Sequence, residues 1–217
     1  MYSRRVLIKK NCRELIPNYL RFVKGVVDCE DIPLNISREN YQDSALMSKL
    51  RSVITKRILK HLREESEKDP EAYSKWFNEF QLMIKEGLLE YDSRTEVMEL
   101  NRFECSTKEG IIDLKTYLTL MKEKQDKIFY MFSAGKHISK RSPHLEPYNK
   151  AGLPVIMLNV HIDEIVFREI GTYKDFKFAN IETDEEDLSK YLEEVKHDES
   201  KGIKSEDLTT FPLWIKN

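Results

Sequence analysis

Lys127-Ile128-Phe129-Tyr130-Met131-Phe132, Val155-Ile156-Met157-Leu158 and Phe176-Lys177-Phe178-Ala179 are three short apolar runs within residues 127–181. Each has the length and the aromatic or branched composition of a strand. Between them lie helical stretches at His144–Lys150 and Ile162–Ile170, and each is followed by a glycine, Gly152 and Gly171, of the kind that ends helices. The order β-α-β-α-β predicts a small parallel sheet with right-handed crossovers, and hence an α/β fold class.

Working toward the N-terminus, Asp69-Pro70 reads as a helix cap with proline at the first helical position. Ala72, Tyr73, Trp76, Phe77 and Phe80 then line one face as far as Gly87. That aromatic stripe is read as core. Tyr91 to Gly110 is polar and uneven, and predicts one short helix and a connection. Leu46, Leu50, Val53, Ile54, Arg57, Ile58 and Leu62 recur at three- and four-residue steps and predict a long amphipathic helix from Asp43-Ser44 to Glu64-Glu65-Ser66. Val6-Leu7-Ile8 reads as a short strand, and the branched run Leu20–Val27 as extended chain before a polar connection containing Pro33. Toward the C-terminus, Asp184–Glu199 is acidic, a solvated helix or a linker, and Leu208–Trp214 begins another packed element.

The 217 residues are 40% apolar and 34% charged, with a net charge of −2, which describes a charge-rich globular chain large enough for two domains. Seven unperiodic glycines exclude collagen-like repeats. The longest apolar run, Leu153–Leu158, is interrupted by Pro154 and is far short of the roughly 18 residues that span a bilayer, so no membrane association is expected. Three aliphatics between basic pairs at the start are too few for a signal-peptide core. Cys12, Cys29 and Cys105 are odd in number and widely spaced, which predicts free thiols in a reducing compartment. The near-zero net charge hides a gradient. Residues 1–60 carry 13 Lys+Arg against 6 Asp+Glu, and residues 181–217 carry 5 against 11.

Motifs for self-contained chemistry are missing from this sequence. Gly135-Lys136 follows a strand, but a phosphate loop needs glycine where Tyr130 stands and Ser/Thr where His137 stands. No G-x-G-x-x-G and no G-x-S-x-G occurs. The histidines, His61, His137, His144, His161 and His197, lack metal-ligand spacing, and no metal site is expected. Pro33-Leu34-Asn35-Ile36-Ser37-Arg38-Glu39 differs in kind, because it places a permanently charged guanidinium among small polar residues on a loop entering the long helix. Such a group suits an anionic oxygen, although on these residues alone pairing with a nearby carboxylate such as Glu39 or Asp43 is the plainer reading.

Leu20-Arg21-Phe22-Val23-Lys24-Gly25-Val26-Val27-Asp28, running into Glu30-Asp31-Ile32-Pro33-Leu34-Asn35-Ile36-Ser37-Arg38-Glu39, closely resembles the middle domain of the heat-shock protein 90 chaperones. The likeness continues through Gln42-Asp43-Ser44, Lys127–Tyr130, Ser142-Pro143-His144-Leu145-Glu146 and Ile162-Asp163-Glu164. Tyr2-Ser3-Arg4-Arg5-Val6-Leu7-Ile8 and Gln42-Asp43-Ser44-Ala45 look like the mitochondrial and bacterial branch. Cys29 stands where the family commonly has serine. Met98-Glu99-Leu100-Asn101-Arg102-Phe103 departs from the family's Ala-Lys-Leu-Leu-Arg-Tyr/Phe, which puts packing there in question.

The resemblance implies a fragment of a longer protein, with two α/β/α units joined by a helical connector and the first unit truncated at its N-terminal side. Residues 1–67 would be the end of the large unit, 68–122 the connector, 123–181 the small β-α-β-α-β unit, and 182–217 an acidic linker and the start of a C-terminal dimerisation domain. It implies a catalytic loop of Arg38, Asn35 and Gln42, with Arg38 reaching the terminal phosphate of magnesium-ATP held mainly by an N-terminal nucleotide-binding domain absent from this chain. It further implies a chaperone that binds unfolded client proteins in folding and the stress response, an ATPase only at full length. That protein would be a homodimer, whereas the fragment is expected to be inactive and monomeric. The implied location is the mitochondrial matrix, or the cytoplasm for the bacterial type, with no nucleic acid partner. In the alternative reading, the chain is a non-catalytic interaction module for clients or co-chaperones.

Overall fold

The computed structural model describes residues 1–32, 45–132 and 142–191. Its centre is a six-stranded mixed sheet with strands β3 (Phe103–Cys105), β4 (Lys108–Ile112), β5 (Lys127–Phe132), β6 (Val155–Leu158), β7 (Thr172–Tyr173) and β8 (Phe176–Asn180), in the order β4-β3-β6-β5-β8-β7. The three predicted strands form its parallel middle, with Phe129 opposite Val155 on one side of β5 and Ala179 on the other. The edges are antiparallel: the β3–β4 hairpin joins β6 through Glu104 and Met157, and β7 turns back on β8. The fold class is α/β, as expected. The hairpin at Phe103–Ile112 corrects the expectation of a plain connection there. β3 alternates, with Phe103 and Cys105 buried around Glu104, but over only three residues, and β4 is mostly exposed, so neither carries an alternation long enough to be read as a half-buried strand.

Side chains alternate across the sheet as strand geometry requires. Phe129, Met131, Val155, Met157 and Ala179 point to one face, where helix α5 (Leu145–Lys150) supplies Leu145 and Tyr148. Ile128, Tyr130, Ile156 and Leu158 point to the other, against Val166 and Phe167 of α6 (His161–Ile170). From β5 to β6 the chain moves one way along the sheet, and from β6 to β8 it moves the other way. Helices on opposite faces are what two crossovers of the same hand then require. Gly171 closes α6 in the left-handed region at φ 68°, which frees its amide to donate to Phe167 O at 3.1 Å.

The second face also carries a helical layer of α1 (Ala45–Lys68), α2 (Pro70–Glu86), α3 (Arg94–Leu100) and α4 (Leu114–Leu120). Asp69 caps α2 as predicted, its carboxylate accepting from Ala72 N at 2.9 Å with Pro70 in the first helical position. Tyr73 and Phe77 are buried, Trp76 is half-buried, and Phe22 packs on Trp76 and Phe80 with ring centroids 5.5 and 5.0 Å apart. The aromatic stripe is core. Gly87 keeps an ordinary helical φ of −65°, so its role is space, since a Cβ there would lie 2.7 Å from the Tyr19 ring. The Tyr117 hydroxyl of α4 ties the layer to the sheet: it donates to Pro154 O at 2.7 Å and accepts from Phe129 N at 2.9 Å and from Gln125 Nε2 at 3.1 Å.

At the N-terminus, β1 (Tyr2–Ser3) and β2 (Val6–Leu7) form a small hairpin, in agreement with the strand expected there. Leu20–Val27 is not a strand. Its start is a 3-10 turn, Arg21 is held by Glu86, Phe22 packs on α2, and Tyr2–Asp28 is an isolated bridge beyond it. Here side-chain packing on the helical layer overrides the branched composition.

Candidate functional site

Asn35, Arg38 and Gln42, the predicted site residues, lie outside the described residues, as does Gly135-Lys136. Both shores of the stretch 33–44 are described, however, and they are close packed. Ile32 and Met47 are buried in one apolar cluster with Met1 and Leu15, with Leu46, Leu50 and Ile54 of α1 along its margin. Tyr2 brackets the approach: its amide donates to Val27 O at 2.7 Å and its carbonyl accepts from Cys29 N at 3.1 Å. The buried Ser3 hydroxyl donates to Ile32 O at 2.6 Å, on the last described residue before the stretch. Arg5 N donates to Asp28 Oδ2 at 3.1 Å. Around this cluster Arg4, Arg5, Lys10, Lys49 and Arg51 are exposed, and so are Asp28, Glu30 and Asp31 just before Ile32, so charges of both signs lie close by. From Ala45 to Arg63, α1 contains six Lys+Arg and no acid.

A second concentration of polar chemistry lies where α2 faces the β3–β4 hairpin, in a groove of about 1190 Å³. At its floor Lys85 is only 2% exposed and meets Asp163, at 0%, with 2.5 Å between Nζ and Oδ2. Asp163 Oδ1 has no hydrogen-bond partner. Burial pushes the Asp163 carboxyl up, and Lys85 pulls it only part of the way back. The ammonium also sits 5.4 Å from the centre of the Phe103 ring. The pair connects α2 to α6 and leaves no ion free for a ligand. Beside it, Arg102 lies over the Tyr73 ring at 4.7 Å and donates to Glu99 O and Asn101 O. The unusual run Met98–Phe103 is bonded in place, since the Tyr73 hydroxyl donates to Leu100 O at 2.9 Å and Asn101 donates back to Val97 O at 2.8 Å, but the buried Asn101 Oδ1 has no partner.

A third cluster, Lys127, Glu186 and Lys190, stands at the start of β5. Among the described residues no group of three or more His, Cys, Asp or Glu is arranged to hold a metal ion. The three cysteines are free thiols, as expected. No described helix is long and apolar enough to cross a membrane. The Lys85–Asp163 pair was missed in the sequence because its halves are 78 residues apart. The visible signal was a lysine beside Ile84 on the apolar face of α2.

Residues 1–216 match the family model described as Hsp90 protein. The chain belongs to the Hsp90 family. Curated relatives agree with this over nearly all of its length. It is 34% identical over 221 residues to the TNF receptor-associated protein 1 homolog, mitochondrial, of Dictyostelium discoideum, covering 99% of this chain and 31% of that protein. It is 37% identical over 219 residues to the chaperone protein HtpG of Desulfitobacterium hafniense, covering 100% of this chain and 35% of the relative. The HtpG of Legionella pneumophila (strain Philadelphia 1) is 37% identical over 218 residues, with 98% and 34% covered. The chain therefore spans about a third of the length of these Hsp90-family relatives. Their names include both a mitochondrial protein and bacterial ones.

Proposed function

We propose that the chain is the middle segment of an ATP-driven, dimeric chaperone and that it supplies Arg38 to nucleotide bound elsewhere in the protein. The observation that carries this reading is the family match over residues 1–216, within which Asn35, Arg38 and Gln42 fall on a stretch whose two ends, Ile32 and Met47, belong to one buried cluster. Flanks anchored in one core, at Ile32 and Met47, suit a segment that presents a side chain to another domain. This chain's part in the chemistry is assigned to Arg38 on the family resemblance of the run 33–39.

In phosphoryl transfer, negative charge spreads over the equatorial oxygens of the transferring group, and a guanidinium supplied from outside the nucleotide pocket stabilises that charge. Asn35 and Gln42 shape the same loop. Magnesium-ATP is held mainly by an N-terminal domain, clients are bound on the surface, and dimerisation belongs to a C-terminal domain. Relatives named as mitochondrial and bacterial support a mitochondrial matrix or bacterial cytoplasmic setting.

The test is Arg38→Ala in the full-length protein. ATP turnover is expected to fall by about 10-fold or more, equivalent to about 1.4 kcal/mol of transition-state stabilisation, with nucleotide affinity nearly unchanged. Unchanged turnover in a well-folded variant overturns the assignment of Arg38. A lowered melting temperature with turnover per folded molecule retained would show a structural partner of Glu39 or Asp43 instead.

A further inference from the structure

We propose that Glu182–Tyr191 form a releasable strap, bolted to the start of β5 by Glu186 and able to detach while the sheet stays folded. The segment has its own small set of bonds, separate from the ladders of the sheet. A tight turn starts it: Thr183 N and Asp184 N donate to Asn180 O at 3.2 and 2.8 Å, Glu182 N donates to Asn180 Oδ1, and Asn180 N donates to Asp184 Oδ2. Glu186, 6% exposed, then lies between Lys127 Nζ at 2.5 Å and Lys190 Nζ at 2.7 Å, and Lys190 reaches Asp126 at 3.7 Å. A 3-10 turn, Leu188–Tyr191, finishes the strap and lays Leu188 and Tyr191 on the cluster formed by Leu145, Tyr148, Ala151 and Leu153.

Two features make this attachment marginal. The strap buries two apolar side chains, Leu188 partly and Tyr191 more fully, and the Tyr191 hydroxyl is buried without a hydrogen-bond partner. An unsatisfied buried hydroxyl offsets much of what burying its ring contributes. The Lys127–Glu186–Lys190 cluster therefore decides whether the strap holds. Neither lysine is deeply buried, at 31% and 38% exposure, so salt reaches the cluster. The strap is also the connection from β8 to residues 192–217. Its release lengthens that connection to about 33 Å of extended chain.

Hydrogen–deuterium exchange on the whole chain tests this. In Glu186→Gln the amides of Asn180, Thr183, Asp184 and Ser189 are expected to exchange at least about 10-fold faster, while those of β5, β6 and Phe176–Ala179 of β8 are unchanged. Raising salt from 0.05 to 0.5 M should do the same to the wild type and little to the variant. Tyr191→Phe removes the orphan hydroxyl and is expected to slow strap exchange, a direction opposite to that of mere damage. The proposal is overturned if Glu186→Gln leaves the strap amides unchanged, or if strap and β5 exchange together. Should Glu186→Gln fail to fold, the salt series and Tyr191→Phe decide by the same criteria.

Discussion

Among the described residues Lys85 and Asp163 are the most deeply buried ion pair, in which two charges have left water and one carboxylate oxygen has no partner. Breaking such a pair from one side is more damaging than removing it whole, since the survivor stays buried and uncompensated. Lys85→Met is therefore expected to lower stability by about 3–5 kcal/mol at neutral pH, whereas Lys85→Met with Asp163→Leu should recover most of that loss. The pH dependence has a definite sign. Burial already raises the Asp163 carboxyl, and without Lys85 it rises further above its ordinary 3.8. A carboxyl with a raised folded value gives its full contribution below the unfolded value and loses it as pH rises through the folded one. The deficit of Lys85→Met should thus be small near pH 4 and grow toward pH 7. Denaturant melts of the single and double variants at both pH values check this, and equal deficits at both would contradict the buried-charge account.

Elements were legible in the sequence in proportion to their length and their contrast with water. Asp69-Pro70 before the Tyr73–Phe77 stripe marked α2 to the residue, and Gly171 marked the end of α6, because caps are local chemistry. The β3–β4 hairpin was not legible, since Lys108-Glu109-Gly110 is a solvated edge and its pairing with β6 is set by residues about fifty positions away. Of the candidate site, the motif 33–39 was readable, yet the Ser3 hydroxyl on Ile32 O and the shared cluster of Ile32 and Met47 exist only once the chain is folded. The hairpin makes a prediction at its own scale. A fragment started at residue 123 retains β5, β6 and β8 but leaves the β6 edge unpaired where Glu104 and Cys105 belong, and it strips Tyr117 from Phe129. Such a fragment is expected to aggregate or to give broad amide spectra, while one started at residue 94 should be the better behaved of the two. Paired expression and NMR of both decide it, and a well-dispersed spectrum from the shorter piece would count against the hairpin's role.

Among the described residues the largest core runs without a break from the helical layer into the sheet, with Leu59, Phe77 and Val97 in the same cluster as Ile128, Ile156 and Phe167, and a second cluster lies on the opposite face of the sheet under α5. The N-terminal arm contributes Met1, Leu15 and Ile32 to a separate, smaller cluster that borrows only Met47 among its buried members. Helical layer and sheet should accordingly unfold as one cooperative unit, with the arm opening at lower free energy. Native-state exchange is expected to show the amides of Tyr2 and Cys29 opening well before those of β5, with α2 and β5 sharing a single isotherm. Separate isotherms for α2 and β5 would break the molecule into units this core does not contain. The strand order carries one more consequence, which concerns synthesis. β5 lies between β6 and β8, and both are made after it. A chain emerging from the ribosome must carry the apolar run Ile128–Met131 without either neighbour until Leu158 has appeared, and with one edge bare until Asn180 has followed. Through that interval a protein of a chaperone family is itself a segment in need of shelter, and translation stalled between residues 132 and 155 would leave its stickiest strand exposed.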